Sequence, residues 1–112
     1  MGVTWITGNT GAGKTTLARK LKGKEDIILD GDEMRQLWSD LTLTKEDREE
    51  NNLRIAKLAA LLDRQGFNVI VSVIAPYRDL RKKIKQITKC KFIYIEGGRD
   101  GKEFPYDHPQ LY

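Results

Sequence analysis

One glycine-rich segment near the amino terminus constrains the fold of this 112-residue chain more than any other feature. Residues 8–15 match the pattern G-x-x-x-x-G-K-[ST] without a mismatch. A β-branched run at 3–7 precedes the segment, and Leu17 and Leu21 follow it at helical spacing, which indicates a strand before it and a helix after it. A phosphate-binding loop requires this order of elements. A plain glycine turn before a helix is the alternative interpretation.

Each part of the loop has a physical role toward a chain of phosphates. Its glycines let the backbone turn its N–H groups inward, and the helix N-terminus adds positive potential. Lys14 is predicted to compensate the charge of the β- and γ-phosphates, and the Thr15 hydroxyl to ligate Mg²⁺. The residues expected to contact ATP are Gly8, Asn9, Thr10, Gly11, Ala12, Gly13, Lys14, Thr15 and Thr16.

The order of the predicted elements indicates an α/β fold of the P-loop NTPase type. The segments are strand 3–7, helix 14–21, strand 27–29, helix 32–38, helix 44–65, strand 69–74, helix 80–87 and strand 91–95. Strands that alternate with helices predict a parallel sheet, and the near-continuous apolar run at 69–74 predicts a strand covered on both faces. We therefore expect a three-layer sandwich with a parallel sheet of about four strands, in which strand 3–7 is central and residues 1–112 form one domain.

Helical spacing predicts which side chains of the helices face inward. These residues are Met34, Leu37 and Trp38, then Ile55, Leu58, Ala59 and Leu62, then Leu80, Ile84 and Ile87. The stripe of helix 44–65 continues backwards to Asn51 and Arg48, so its first turns are expected to line a cavity. Thr44 and Asp47 resemble a capping box at its start. Arg81 and the neighbouring lysines of helix 80–87 are expected to face outward.

Composition and charge narrow the class of protein. Lys and Arg number 20 against 16 Asp and Glu, and the net charge of +4 favours an anionic partner. Cys90 is the only cysteine, which argues against a disulfide and a cysteine-based metal cage. No apolar run has the length of a membrane span and no signal-peptide pattern opens the sequence, so we expect a cytoplasmic protein without a membrane partner.

Two carboxylates follow the second predicted strand. Asp30 and Asp32 lie where the carboxyl ends of parallel strands gather, beside the phosphate loop. Carboxylates in that position hold Mg²⁺, directly or through water, or accept a hydroxyl proton, which is the chemistry of phosphoryl transfer. Capping of the next helix, above all by Asp32, is the alternative interpretation.

Three arginines point to an anionic second substrate. Arg35 lies one turn beyond Asp32, and Arg48 and Arg54 are predicted to face inward with Asn51 from the start of the long helix. Their guanidinium groups are suited to phosphate or sulfate oxygens. The alternative is surface salt bridging with Glu33, Glu49 and Glu50.

The sequence resembles the adenylylsulfate (APS) kinases, small P-loop kinases that phosphorylate the 3′-hydroxyl of adenosine 5′-phosphosulfate. The matching pieces follow the family's order over residues 3–82. They are Trp5-Ile6-Thr7-Gly8 with the phosphate loop, Leu29-Asp30-Gly31-Asp32 followed by Arg35, Glu46-Asp47-Arg48 with Asn51 and Arg54, and Ile74-Ala75-Pro76-Tyr77-Arg78. Their combination is far more specific than any one of them.

The resemblance implies roles for individual residues. One aspartate acts as the base and the other supports Mg²⁺; we assign Asp32 to the base and Asp30, with Thr15, to the metal, and the reverse assignment stays open. The catalytic set is Lys14, Asp30, Asp32 and Arg99, of which Arg99 is expected to be a transition-state cation. The residues expected to bind the acceptor are Asp32, Arg35, Arg48, Asn51, Arg54, Ile74, Ala75, Arg78 and Phe104.

The chain departs from the family pattern in three places. Ala75 stands where the family has a serine proposed as a phosphorylated intermediate, and direct in-line transfer does not need that serine. Leu43 stands where the family has an aromatic residue that stacks on the adenine, so stacking is lost there. Residues 97–112 are expected to form a reduced lid, in which Phe104 takes over base stacking and His108 is a loop residue.

The sequence therefore predicts a Mg²⁺-dependent kinase that transfers the γ-phosphoryl group of ATP to APS or a similar small anionic nucleotide. A kinase for another nucleotide-activated metabolite and a non-catalytic nucleotide-binding protein are the alternatives. The lack of an Asn-Lys-x-Asp motif argues against a G protein, and the lack of a basic strip interleaved with aromatic residues argues against a nucleic-acid partner. A homodimer is compatible with the sequence.

Overall fold

The computed structural model describes residues 2–8 and 11–95, which form one parallel sheet with helices on both faces. The strands are β1 (Gly2–Gly8), β2 (Ile27–Asp30), β3 (Asn68–Ser72) and β4 (Lys91–Ile95), and the helices are α1 (Lys14–Leu21), α2 (Gly31–Arg35), α3 (Lys45–Arg64) and α4 (Arg78–Thr88). The strand order is β2-β3-β1-β4. The predicted α/β fold is confirmed, and β1 is an inner strand. No helix in this part of the chain combines the length and the apolar character of a membrane span.

Hydrophobic side chains form a separate cluster on each face of the sheet, because alternate residues of a strand face opposite sides. One cluster joins Val71 to Ile55 of α3 and Ile84 of α4. The other joins Ile70 to Ala18 of α1. The sheet is therefore the middle of three layers, and burial on both faces accounts for the near-continuous apolar run in β3.

The register of the sheet brings the carboxyl ends of three strands together at one edge. Ser72 is the register partner of Asp30 on one side and of Ile6 on the other. The chain leaves this edge from β1 into the phosphate loop, from β2 into α2 and from β3 into the loop before α4. Parallel α/β sheets bind their ligands at this edge.

Side chains fix the start of α3. The Thr44 hydroxyl accepts a hydrogen bond from the backbone N–H of Asp47 (3.3 Å), as the sequence predicts. The Asp47 carboxylate does not return to Thr44; it accepts hydrogen bonds from the amide (2.8 Å) and the hydroxyl (2.7 Å) of Thr42. These bonds hold the pKa of Asp47 below its usual value. They also join the preceding segment to the helix turn that carries Arg48.

Two predicted helix faces are wrong in part. The backbone amides of Gln36 and Leu37 make i to i−3 hydrogen bonds, which tighten the chain and end α2 at Arg35. Leu37, predicted to face inward, is consequently 70% exposed. Arg81, predicted to face outward, is 1% exposed, and its guanidinium donates a hydrogen bond to the carbonyl oxygen of Ala75. A buried cation requires such a partner.

We expect Thr44→Ala to lower the free energy of unfolding by about 1 kcal/mol, because a backbone N–H in the first turn of α3 loses its cap. Thr44→Ser keeps the hydroxyl and is expected to unfold like the wild type. Urea unfolding followed by far-ultraviolet circular dichroism measures both variants. Equal midpoints for Thr44→Ala and the wild type would contradict the capping assignment.

Candidate active site

A cleft of about 560 Å³ opens at the carboxyl edge of the sheet. The phosphate loop with the start of α1, the junction of β2 and α2, the segment from 42 into α3, and the loop after β3 all contribute to it. The predicted site residues that line the cleft are Gly11, Gly13, Lys14, Thr15, Thr16, Asp30, Asp32, Arg35, Arg48, Asn51 and Ile74. Residues that are far apart in the sequence are thus brought together at one place.

The backbone geometry favours glycine at positions 8 and 13 of the phosphate loop. A Cβ atom on Gly8 would lie 2.6 Å from the carbonyl oxygen of Ile95 on β4. Gly13 has a φ of 98°, which side chains disfavour, and α1 begins directly after it without a side-chain cap from the described residues. Uncapped N–H groups at a helix N-terminus suit a phosphate. Asn9 and Thr10, also predicted to contact ATP, lie outside the described residues.

The Lys14 side chain lies near the acidic end of β2. Burial lowers the pKa of its ammonium group, and the carboxylates of Asp32 and Asp30 oppose that shift. The three charged groups are therefore within electrostatic reach of one another in one corner of the cleft. A cation and two carboxylates in this arrangement can bind a phosphate chain with its metal ion and accept a proton nearby.

Asp30 connects β2 to the phosphate loop and to α2. Its Oδ2 accepts a hydrogen bond from the Thr15 hydroxyl (2.9 Å), and its Oδ1 accepts from the backbone N–H groups of Asp32 (3.0 Å) and Glu33 (3.4 Å). The cap of α2 is therefore Asp30, and the interpretation of Asp32 as the cap is wrong. The Asp32 side chain is exposed and lines the cleft.

The oxygen atoms in this corner fit a magnesium ion. Mg²⁺ prefers oxygen ligands, uses few protein groups and keeps several waters. The Thr15 hydroxyl and the Asp30 carboxylate are already in contact, and Ser72, the register partner of Asp30, has a buried hydroxyl without a hydrogen-bond partner among the described residues. Residues 2–8 and 11–95 contain no group of three or more His, Cys, Asp or Glu side chains that could hold a metal ion. The corner suits an ion held largely by water and phosphate oxygens.

Another wall of the cleft is cationic. Arg35 from the end of α2 and Arg48 and Asn51 from the first turns of α3 line it. The Oδ1 atom of Asn51 accepts a hydrogen bond from Nε1 of Trp38 (2.9 Å), so the amide nitrogen is the group left to donate to a ligand. This wall can bind an anionic substrate through charge-assisted hydrogen bonds.

Arg54 lies outside this wall, contrary to the prediction. Its guanidinium makes two hydrogen bonds to the Asp40 carboxylate (3.1 and 2.8 Å) and lies 3.7 Å from the Glu50 carboxylate. It also lies 5.5 Å from the centre of the Trp38 ring. The side-chain hydrogen bond from Arg54 holds the pKa of Asp40 below its usual value. The salt-bridge interpretation therefore applies to Arg54, with Glu50 as a partner that the sequence indicated and Asp40 as one that it did not.

Two buried side chains hold the loop that follows β3. Nε1 of Trp5 donates a hydrogen bond to the carbonyl oxygen of Val73 (3.2 Å), and Arg81 donates one to the carbonyl oxygen of Ala75. Ile74, between these two anchors, lines the cleft. Ala75 is fully buried in the hydrophobic core. Its side chain therefore does not reach the cleft, contrary to the prediction.

Leu43 and Arg78 differ in their position relative to the cleft. Leu43 lines the cleft and is 57% exposed, so an aliphatic side chain stands at its mouth. Arg78 is exposed at the first position of α4 and is not among the described residues that line the cleft. Arg99 and Phe104 lie outside the described residues.

Sequence reasoning missed two buried polar residues of the cleft. Asn52 and Ser72 line it and are buried, and the Asn52 amide oxygen and the Ser72 hydroxyl have no hydrogen-bond partner within the described part of the chain. A signal existed for both residues. Asn52 follows Arg48 by one helical turn on the same stripe, and Ser72 is the single polar residue in the apolar run at 69–74.

Several known proteins have sequences similar to that of this chain. The family model of adenylylsulphate kinase matches residues 1–97. The adenylyl-sulfate kinase of Paraburkholderia xenovorans (strain LB400) is 44% identical over 100 residues, which cover 83% of this chain and 56% of that protein. The adenylyl-sulfate kinase of Picosynechococcus sp. is 50% identical over 93 residues, which cover 76% of this chain and 52% of that protein.

A solved structure extends the likeness from sequence to fold. The APS kinase of Mycobacterium tuberculosis in complex with AMPPNP and APS has a TM-score of 0.70 and 35% identity to this chain, over 83% of this chain and 60% of that one. This chain spans about half the length of the curated relatives it matches. The match of the family model, the sequence identities and the common fold agree, and the chain belongs to the adenylylsulphate kinase family.

Proposed function

We propose that the chain uses ATP and Mg²⁺ to phosphorylate the 3′-hydroxyl of APS or of a similar small anionic nucleotide. One observation carries the proposal: a single cleft contains the phosphate loop with Lys14, two carboxylates, and a wall with Arg35 and Arg48. A phosphoryl donor needs the loop, removal of the hydroxyl proton needs a carboxylate, and an anionic acceptor needs the arginines. The M. tuberculosis kinase, which binds AMPPNP and APS, supports the same pair of ligands here.

On the ATP side, the backbone of the phosphate loop and Lys14 bind the β- and γ-phosphates. Lys14 compensates the negative charge of the transferred group, an effect that is strong in a site shielded from water. Mg²⁺, when bound, neutralises charge on the phosphate oxygens. Thr15 and Asp30 would hold the ion, and the buried hydroxyl of Ser72 is in register to hydrogen-bond a water beside Asp30.

Asp32 is the proposed base. Both oxygens of Asp30 are engaged, one by the Thr15 hydroxyl and one by the amides of α2, whereas the Asp32 carboxylate is exposed in the cleft. A base must reach the proton that it removes. The proton of the acceptor hydroxyl therefore passes to Asp32 as the hydroxyl oxygen attacks the γ-phosphorus; the bond from that phosphorus to the β–γ bridging oxygen breaks, and ADP leaves.

The acceptor is held chiefly through its anionic groups. Arg35 and Arg48 supply positive charge, and Asn51 donates through the amide nitrogen that Trp38 orients. Ala75 has no hydroxyl and is buried, so no phosphorylated enzyme intermediate can form at that position. Direct transfer from ATP to the acceptor follows.

A second candidate function is phosphorylation of another nucleotide-activated metabolite. The observation in its favour is Leu43, which lines the cleft and cannot stack on a base as an aromatic ring does. Phe104 as a stacking residue and Arg99 as a transition-state cation remain predictions. The two candidate functions share the chemistry at Lys14 and Asp32 and differ only in the acceptor.

Incubation of the chain with ATP, Mg²⁺ and APS tests the proposed function. We expect equal amounts of ADP and of a 3′-phosphorylated product, separated by ion-exchange chromatography. Lys14→Ala, which removes the phosphate-binding cation, is the inactive control. Replacement of APS by other nucleotides and nucleotide-activated metabolites tests the second candidate. A wild-type chain that phosphorylates none of these acceptors would overturn the proposed function.

Asp32→Asn is expected to lower kcat by about 10²- to 10⁴-fold, because the base is lost while the amide keeps the shape of the side chain. Thermal stability should stay unchanged, since Asp32 does not cap α2. ATP affinity should also stay unchanged. Asp30→Asn should weaken Mg²⁺ binding and also lower the melting temperature, because Asp30 holds Thr15 and the cap. Steady-state kinetics and thermal unfolding measure both variants. A silent Asp32→Asn with a large rate loss in Asp30→Asn would reverse the two roles.

Arg48→Ala is expected to raise the acceptor KM at least about tenfold, because a charge-assisted hydrogen bond of about 1.5–3 kcal/mol is lost. Arg54→Ala is the matched control: it removes an arginine from the same helix, but that arginine pairs with Asp40 and lies outside the cleft wall. Acceptor titrations at saturating ATP compare the two variants. Equal effects of the two substitutions would mean that the acceptor does not bind at this wall.

A further inference from the structure

The loop between β3 and α4 forms one wall of the cleft without regular secondary structure. Val73, Ile74 and Pro76 line the cleft, while Ala75 between them is buried in the core. A buried carbonyl group in such a loop has no sheet or helix partner and needs a donor from elsewhere. The conformation of this wall therefore depends on the side chains that bind its carbonyl groups.

Arg81 supplies one of these donors from α4. It is buried, and its guanidinium binds the carbonyl oxygen of Ala75 six residues earlier. On the other side of Ile74, Nε1 of Trp5 binds the carbonyl oxygen of Val73. One side chain from β1 and one from α4 thus hold the wall.

The burial of a cation at this position needs a reason. A guanidinium inside a small core is costly to desolvate, and an apolar side chain of similar volume is often as stable or more stable. The lysines at neighbouring positions 82 and 83 are exposed, so Arg81 differs from them in being buried. The arginine brings into the core a donor that reaches the loop carbonyl.

We propose that Arg81 is a positioning residue for the acceptor, because it holds the 73–76 wall in the conformation that places Ile74 in the cleft. The identity of the acceptor in this proposal rests on the proposed function. Loss of the guanidinium releases the Ala75 carbonyl and shifts the wall, while the start of α1 after the phosphate loop keeps its own contact, the hydrogen bond from Thr15 to Asp30. Acceptor binding and ATP binding are therefore expected to respond differently.

Arg81→Met tests this role, with Arg81→Lys as the conservative variant and Lys82→Met as the matched control on the exposed face of the same helix. In the full chain with ATP and Mg²⁺, we expect Arg81→Met to raise the KM for APS about tenfold and to leave the KM for ATP unchanged, as a shift of a binding wall would. Arg81→Lys should recover part of the loss, and Lys82→Met should match the wild type. A parallel rise in both KM values would indicate general loosening and overturn the proposal.

A second measurement does not depend on activity. The indole N–H of Trp5 donates to Val73 in the same wall, whereas that of Trp38 donates to Asn51 of α3. Proton–nitrogen NMR spectra should show the Trp5 indole signal shifted in Arg81→Met and the Trp38 signal unchanged. An unshifted Trp5 signal would overturn the proposal whatever the kinetics. A shifted Trp5 signal in a chain whose wild type phosphorylates no acceptor would leave Arg81 as the support of the wall and refute the proposed function instead.

Discussion

The hydrogen bond between the Thr15 hydroxyl and the Asp30 carboxylate connects the parts of the cleft. It joins the first turn of α1, and with it the phosphate loop, to the end of β2. The other oxygen of the same carboxylate caps α2, the helix whose last residue is Arg35. One side chain thus sets the spacing between the loop that suits phosphate and the helix that carries an arginine of the proposed acceptor wall. Because Asp30 serves both contacts, Asp32, the proposed base, is left exposed in the cleft.

The fold could be predicted from the sequence because its signals are local. The glycine loop between a β-branched run and a leucine pair specifies β1 and α1, and Thr44 marks the start of α3 through its own backbone contact. The residues of the corner, Lys14 and Asp30, follow from motif and strand position alone. Parallel α/β sheets bind ligands at the edge where the carboxyl ends of their strands lie, so the position of the cleft could be predicted. Arg48 lines this cleft from the start of α3.

The remaining features depend on contacts between distant segments, which spacing does not encode. Helical periodicity gives the direction of a face, but a long arginine side chain can reach a partner on either side of it. Arg54 turns to Asp40, and Arg81 turns into the core because a loop carbonyl needs a donor. The choice of Asp30 as the cap of α2 rests on where that helix begins, and a shift of the boundary by two residues would have made it Asp32.

Transfer in a single step is the central consequence of the proposed function, because the cleft joins the phosphate loop to an arginine-lined wall and position 75 has no hydroxyl. ATP made chiral at the γ-phosphorus with oxygen isotopes tests this consequence, with the configuration of the transferred group determined by phosphorus NMR. One in-line displacement inverts the configuration, and two successive displacements through a phosphorylated enzyme group restore it. Inversion is the predicted result, and retention would contradict direct transfer between two substrates bound in this cleft.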